Sequence, residues 1–469
     1  MKILYYNWAP YDNQNNIGGG VTIYLRNLIN YLTQNKNNEI YVLSGGYKYN
    51  PFFTKTYIQK SKKTHCQKCK SFEIINSPIV APQFLMFYNI EKYLSDSITV
   101  KLFDNFIKKY GPFDIIHIQN FEGISINVLK LKEKYPNTKF IYSVHNYQMI
   151  CPLVQYFQNN KECVCNNFNH GQECSQCINA KIHLNTYSNR VYEYLKDIIS
   201  SNYQFINILL KNVAKIISLF ECRKYIIKKN HKQSSSIYEQ YRKTNIKYLN
   251  QYCDKIIAVS KRVEDIMIEH GINNNKIETL YIGTKIAKVQ KGQCNTQQIN
   301  PFVIAYLGYA RVDKGFWFLL NSLKKLPQQI QNQIGLVFAV KGYKPNDKWL
   351  NHFAFTKTYN GYTHQELKEI LSNVNLGIIP VLWEDNLPQV AIEMVANGVP
   401  ILCSSFGGAS ELCDNQNFKF IGGDVDDFIN KLVNIVNNPK ILNDYWKNHS
   451  GLKTMEQHIN ELFKVYNEE

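Results

Sequence analysis

Short apolar, β-rich runs recur along this chain, and most of them do not alternate apolar with polar residues. They include ILYY (3–6), IYVLS (40–44), DIIHI (114–118), FIYSV (140–144), KIIAVS (255–260), FVIAYLG (302–308), LVFAVKG (336–342), LGIIPV (376–381) and VPILCSS (399–405). A strand with one wet face alternates; one covered on both faces, as in a parallel sheet, does not. Helix-periodic segments lie between the runs, at 20–33, 260–270, 315–326, 364–372 and 388–397. Strands alternating with helices predict an α/β protein with parallel sheets. The order predicts two such units in series, and 469 residues is room for two or three domains at roughly 100–200 residues each.

The least structured stretch between the two series is TKIAKVQKGQCNTQQIN (284–300), polar and without periodicity. The expected organisation is a first domain over 1–285, a linker over 286–300, a second domain over 301–440, and a helical segment over 441–469 that crosses back to the first domain. Two stretches interrupt the first domain: a Cys-rich irregular loop at 151–180 and a helical insertion at 186–250. No apolar stretch reaches the ~18–20 residues that span a bilayer; Phe205 to Phe220 is broken by Lys211 and Lys215. The opening MKILYYNWAP reads as a first strand, not a signal peptide, so the expected location is cytoplasmic.

Charge is unevenly distributed. Residues 1–250 carry 32 Lys and Arg against 15 Asp and Glu, whereas residues 251–469 carry 22 of each, so the whole net charge of +17 belongs to the first half. A compositional bias of the genome would act on both halves. The asymmetry points to an anionic partner, and an anionic membrane surface is the expected one. Nucleic acid is not expected, because no DNA- or RNA-binding signature is present. In the insertion, Phe205, Ile206, Leu209, Leu210, Val213, Ile216, Ile217 and Phe220 form an apolar stripe at helical spacing. Lys211 and Lys215 lie beside it, and Arg223, Lys224, Lys228, Lys229 and Lys232 follow. The stripe reads either as a core-facing helix with a solvated basic end or as an interfacial helix on an anionic membrane.

Two motifs carry chemistry. Gly18-Gly19-Gly20 sits where the first strand passes into a helix, a place where backbone N–H groups can approach an anion. By itself it reads as a tight turn. The second is WEDNLPQVAIEMVANGVPILCSSFGGASEL (383–412), in which an acidic turn leads into a helix near Pro388, then a strand, then Gly407-Gly408 and Glu411. Acids at a turn and on the next helix suit sugar hydroxyls, and free N–H groups at the helix start suit a phosphate.

This block resembles the signature of the family 4 retaining glycosyltransferases of the GT-B fold, also called glycosyl transferases group 1. LGYARVDKG (307–315), CDKIIAVSKRV (253–263), FDIIHIQN (113–120), YSVHNYQMICP (142–152) and Gly18–Gly20 resemble other family segments in family order. The resemblance implies two Rossmann-like, doubly wound parallel-sheet domains facing a central cleft. It implies transfer of a sugar from a nucleotide-diphosphate donor, the co-substrate, to a polysaccharide or lipid-linked acceptor, with no cofactor or metal required for catalysis. Glu393 would hydrogen-bond the donor ribose, and Asp385 or its neighbour Glu384 would contact the donor sugar. Asn386, Leu387 and Pro388 would offer backbone N–H groups to the phosphate. Lys314 would bind the diphosphate beside Gly308, with Arg311 replacing the usual arginine, whose position holds Tyr309. His145 would lie near the transferred sugar. The expected place of work is the inner face of the cell membrane.

The assignment is physically coherent, since departure of a diphosphate needs its growing negative charge stabilised, and Lys314, Arg311 and backbone N–H groups supply that. The one Asp-x-Asp pattern in view, Asp424 to Asp426, falls in a late loop. Of 12 cysteines, Cys163, Cys165, Cys174 and Cys177 are spaced as candidate ligands of a structural zinc, with His65, Cys66 and Cys69 a second short cluster; free thiols are the alternative. Two other functions fit the same scaffold: a nucleotide-sugar epimerase, and a non-catalytic donor-binding partner subunit.

Overall fold

The computed structural model describes residues 1–468 except 13–16, 35–36, 62–68, 83–89, 159, 178–183, 200–203, 227–234, 285–299 and 450. The linker expected over 286–300 therefore lies outside the described residues but for Asn300, as do His65 and Cys66.

The strands are β1 (Lys2–Tyr6), β2 (Glu39–Gly45), β3 (Tyr57–Lys60), β4 (Cys69–Ile75), β5 (Ile115–Ile118), β6 (Lys139–Val144), β7 (Phe157–Gln158), β8 (Cys163–Val164), β9 (Lys255–Ala258), β10 (Ile277–Thr279), β11 (Phe302–Gly308), β12 (Ile334–Val340), β13 (Phe355–Tyr359), β14 (Leu376–Ile379), β15 (Ile401–Ser404) and β16 (Lys419–Phe420). Eight build one sheet in the order β10-β9-β6-β5-β1-β2-β4-β3, and six build a second in the order β13-β12-β11-β14-β15-β16. Every pair in the two sheets is parallel except β3 with β4. The non-alternating runs are these central strands. All seven residues of β12 and four of five in β1 are buried, as strands covered by helices on both faces must be. The fold is GT-B: two parallel α/β sheets with the carboxyl ends of their strands facing one cleft.

Eight helices matter below: α1 (Gly19–Leu32), α2 (Leu184–Ile199), α3 (Gln204–Ile226), α4 (Ser235–Tyr252), α5 (Lys261–Glu269), α6 (Phe316–Lys324), α7 (Gln389–Ala396) and α8 (Met455–Asn467). The periodic segments at 20–33, 260–270, 315–326 and 388–397 became α1, α5, α6 and α7. The insertion at 186–250 is three helices, α2, α3 and α4. α8 packs beneath the first sheet, where Tyr466 Oη meets Tyr5 Oη at 2.9 Å and His117 Nδ1 at 2.7 Å. A capping box starts α8, Thr454 and Gln457 each accepting from the other's backbone N–H, which fixes its first turn.

Candidate active site

A cavity of about 280 Å³ opens between the two sheets, at the carboxyl ends of their strands, where ligands bind in open α/β sheets. From the first sheet it takes Gly20 and Tyr24 of α1 and His145, the residue after β6. From the second it takes the end of β11 with Gly308 and Tyr309, then Lys314, Trp383, and the run from Asp385 to Val390. Gly20 faces Gln389 so closely that a Cβ on it would stand 3.0 Å from Gln389 Cγ. Gly18 adopts φ +85° to start α1, and neither it nor Gly19 is part of the cavity wall.

Two glycines hold the chemistry in register. Gly315 has φ +72°, and a Cβ there would lie 1.6 Å from Pro380 O, so only glycine lets the loop turn into α6. That turn presents Lys314 to the cavity, where its Nζ lies 2.6 Å from Asp385 Oδ2 and 4.7 Å from the centre of the Trp383 ring. Gly407, at φ +73°, packs on the Asp385 backbone, where a Cβ would come 2.2 Å from its carbonyl oxygen. Gly408 N donates to that same oxygen at 2.8 Å. The acidic turn is thus fixed from below by the glycine pair, and Trp383 Nε1 and both amide atoms of Asn386 are buried at the cavity with no hydrogen-bond partner among the described residues.

The two adjacent acids have different jobs. Glu384 is only 2% exposed and does not line the cavity. It takes a two-point contact from Arg262, Nη2 to Oε1 at 2.6 Å and Nε to Oε2 at 3.1 Å, plus Gly407 N at 2.8 Å. It clamps α5 of the first half to the second half. Glu411 adds to the clamp by accepting from Lys261 N and Arg262 N at the start of α5, at 2.9 and 2.7 Å, and from Tyr281 Oη at 2.6 Å. Ser260 Oγ donates to Asn386 O at 2.6 Å. Asp385 is the acid at the cavity, which corrects the expectation that either acid serves there.

Arg311 is also corrected. It turns to Asp313, with Nε to Oδ1 at 2.8 Å and Nη2 to Oδ2 at 2.9 Å, and does not line the cavity; Tyr309 stands in the wall instead. Pro388 caps α7 with extended backbone, but a proline has no N–H to give a phosphate. Glu393 lies just over one turn into α7, outside the cavity wall, and accepts from Tyr362 Oη at 2.8 Å.

His145, itself half-buried, packs on a layer of buried rings that the motifs did not reveal. Its Nε2 is 2.7 Å from Gln119 Oε1, and its ring lies 5.2 Å from that of Tyr24. Burial, and then the nearby His458, pulls its pKa down to about 3. Tyr24 Oη donates to His458 Nε2 at 2.7 Å, while His458 Nδ1 donates to Tyr281 O at 2.8 Å. Tyr24 was legible only as the residue one turn beyond Gly20; His458 had no local signal, because its contact is made across the whole chain.

The expected zinc set does not assemble. Cys163 is exposed, and its thiol turns to Gln158 Oε1 at 3.7 Å in the short β7–β8 ribbon. Cys165, Cys174 and Cys177 instead converge with Cys151 on one small cavity, where Arg242 Nη1 lies 3.1 Å from Cys174 Sγ. Among the described residues no group of three or more His, Cys, Asp or Glu side chains is placed to hold a metal ion.

Residues 301–438 match the family model described as Glycosyl transferases group 1. A Klebsiella pneumoniae protein described as an uncharacterized 42.6 kDa protein in the cps region is 20% identical over 313 residues, 66% of this chain. The alignment spans 62% of that relative's length. Among solved structures, sucrose-phosphate synthase from Thermosynechococcus elongatus superposes with TM-score 0.58 at 15% identity, covering 99% of this chain and 98% of that one. Anabaena HepE in complex with UDP and glucose gives 0.56 at 11% identity with both chains fully covered. The lipopolysaccharide outer core galactosyltransferase WaaB gives 0.54 at 13% identity, covering 99% and 100%.

Proposed function

We propose that this GT-B protein, whose second half carries the Glycosyl transferases group 1 match, is a family 4 retaining glycosyltransferase of the hexosyltransferase type. It moves a sugar from a nucleotide-diphosphate donor to a polysaccharide or lipid-linked acceptor. The observation that carries the reading is the Lys314–Asp385 pair set in the cleft before the first turn of α7. Donor entry parts the pair. Lys314 turns to the diphosphate, where negative charge grows as the glycosidic bond breaks, and the α7 N-terminus adds its dipole. Asp385 is released to accept from sugar hydroxyls. His145, neutral because buried, offers a hydrogen bond at the sugar without adding charge. Retention follows from reaction on the face from which the phosphate departs, the leaving oxygen taking the acceptor's proton.

UDP in the HepE complex supports a nucleotide donor, and makes UDP-sugars the first ligands to test. The cps setting of the Klebsiella relative supports a surface-polysaccharide acceptor, and the basic first half supports a peripheral site on the inner face of the cell membrane. No helix among the described residues is long and apolar enough to cross a membrane. A thermal-shift screen against UDP-, GDP-, ADP- and TDP-sugars tests donor binding, since a ligand selective for the folded state raises the transition by mass action. Free nucleotide released only with an acceptor supports transfer. The replacement of the family arginine by Tyr309 favours a second reading, a donor-binding subunit without turnover, which predicts a thermal shift and no release with any acceptor.

A further inference from the structure

α3 is apolar on the side that faces away from the protein. Its Leu210 and Ala214 are buried against Val191 and Leu195 of α2, with Ile206 and Ile217 alongside. The opposite side carries Phe205, Ile208, Leu209, Val213, Ile216 and Leu219, which are between 38% and 76% exposed. At 100° per residue these six fall within roughly 140° of the helix circumference. Between Phe205 and Leu219, Asn212 is the one polar residue in that arc, and the exposed Lys211 and Lys215 border it on one side. At the end of α2, Ile198 and Ile199 are also nearly half exposed. A solvated helix has the reverse arrangement, and an uncovered apolar patch of this size marks an interaction surface.

The pair α2–α3 is fixed to the rest of the first half on one side. Lys48, just beyond β2, contacts Glu73 Oε2 at 2.6 Å and reaches Asp197 of α2. Arg190 Nη2 of α2 donates to Ser77 O, just beyond β4, at 3.1 Å, and the rings of Tyr49 and Tyr187 meet edge to face. These anchors sit at the carboxyl ends of β2 and β4. Gly20 and His145 of the cleft follow the carboxyl ends of β1 and β6 in the same parallel sheet.

We propose that the outer face of α3 inserts into the headgroup–acyl boundary of an anionic lipid bilayer, with Lys211 and Lys215 at the phosphates. Charge complementarity selects this occupant, because the whole +17 net charge lies in residues 1–250 and lysine heads stay at the interface while apolar side chains enter. The inference deepens the reading of a lipid-linked acceptor, and places the cleft's side of the first sheet toward the membrane. Its test does not involve donor or turnover, so the two stand or fall separately.

The test is flotation of the full-length protein with phosphatidylcholine vesicles, with and without phosphatidylglycerol, at low and high salt. The expected result is binding to the anionic vesicles that weakens but survives at high salt, since apolar insertion is not screened. The triple variant Leu209→Glu, Val213→Glu, Ile216→Glu should reduce the bound fraction at least tenfold. Its thermal midpoint and its shift with nucleotide sugar should match wild type, because those side chains are already in water. Val213→Ser alone should bind nearly as wild type. The idea is overturned if wild type ignores anionic vesicles, if the triple variant binds equally, or if salt alone abolishes binding. It is also overturned if wild type is a dimer in solution that the triple variant dissolves, since the face then belongs to a second copy.

Discussion

Lys314 and Asp385 are 71 residues apart in the chain, yet their charged atoms lie 2.6 Å apart at the mouth of the cleft. In the proposed mechanism this pair parts on donor entry, Lys314 turning to the diphosphate and Asp385 to the sugar hydroxyls. Removing either partner changes different steps. Lys314→Ala is expected to lower kcat more than donor affinity, because the charge it meets grows in the transition state. Asp385→Asn is expected to weaken the donor by the worth of a charge-assisted hydrogen bond, about 1.5–3 kcal/mol. Steady-state kinetics against calorimetric donor affinity separates the two; equal losses in kcat and affinity for Lys314→Ala would mean simple ground-state binding.

Tyr362 Oη donates to Glu393 Oε2 at 2.8 Å. Glu393→Gln should raise the donor KM by a similar equivalent of about 1.5–3 kcal/mol if its carboxylate meets the ribose. Tyr362→Phe should raise the donor KM by a smaller amount, about 0.5–1.5 kcal/mol, with kcat nearly unchanged. The double variant should lose less than the two single losses combined, because Tyr362 acts through Glu393. Additive losses would show that the two residues serve the donor independently.

Arg262 and Arg311 make an instructive contrast. Arg262→Ala would leave Glu384 buried without its partner. Because Arg262 is itself partly in water, the expected loss is roughly 1–3 kcal/mol, below that of a fully buried pair. Arg311 is half-exposed, while its partner Asp313 is only 5% exposed and keeps Gln155 Nε2 at 3.3 Å, so Arg311→Ala should cost less stability, roughly 1 kcal/mol, and leave kcat within about 0.5 kcal/mol of wild type. A large kcat loss in Arg311→Ala, with no larger loss of stability, would restore it as a diphosphate ligand.

The cysteines should divide by burial. Burial, and then Cys174, pushes Cys151 up to about 12, and burial pushes Cys165 up as well, so both stay protonated and inert near neutral pH. Cys163 is exposed. Limited alkylation of the native protein followed by peptide mass spectrometry should find Cys163 modified first among the described cysteine side chains, and Cys151 and Cys165 only after denaturation. Fast labelling of Cys151 would mean that the loop opens in solution.

Much of this was legible in the chain. Non-alternating runs give buried parallel strands wherever both faces are covered, as FVIAYLG and LVFAVKG are. Lys314, Asp385 and His145 were picked out by the resemblance of the segments that carry them, and all three line the cavity. Glu384 and Arg311 do not, because each is neutralised by a partner that tertiary structure selects, Arg262 from 122 residues away and Asp313 by the loop's curl. β3 and β13 escaped notice because both are polar edge strands. In α3, periodicity showed an apolar stripe, but a helix apolar on both sides does not reveal from its sequence which side α2 covers.

The buried histidines give the protein a one-sided pH dependence. Burial lowers His145 to about 3 and His458 to about 4 from the ordinary 6.5, and lowers His117 as well. The unfolded chain takes up these protons near pH 6.5, whereas the folded chain refuses them until far lower pH. Between those limits the unfolded state holds more protons, so stability rises with pH there and is lost as pH falls. The Tm should therefore be flat in this respect above about pH 7 and decline steadily from about 6.5 toward 4. His458→Gln keeps a neutral group against Tyr24 and should make that decline shallower even though it lowers the Tm at pH 7. The same shifts mean that none of the three changes charge between pH 5 and 8, so His145→Gln should lower kcat/KM without moving its pH profile. An inflection near pH 6.5 that vanishes in His145→Gln would show that His145 titrates in the cleft, and that water reaches it more freely than its packing against Tyr24 and Gln119 allows.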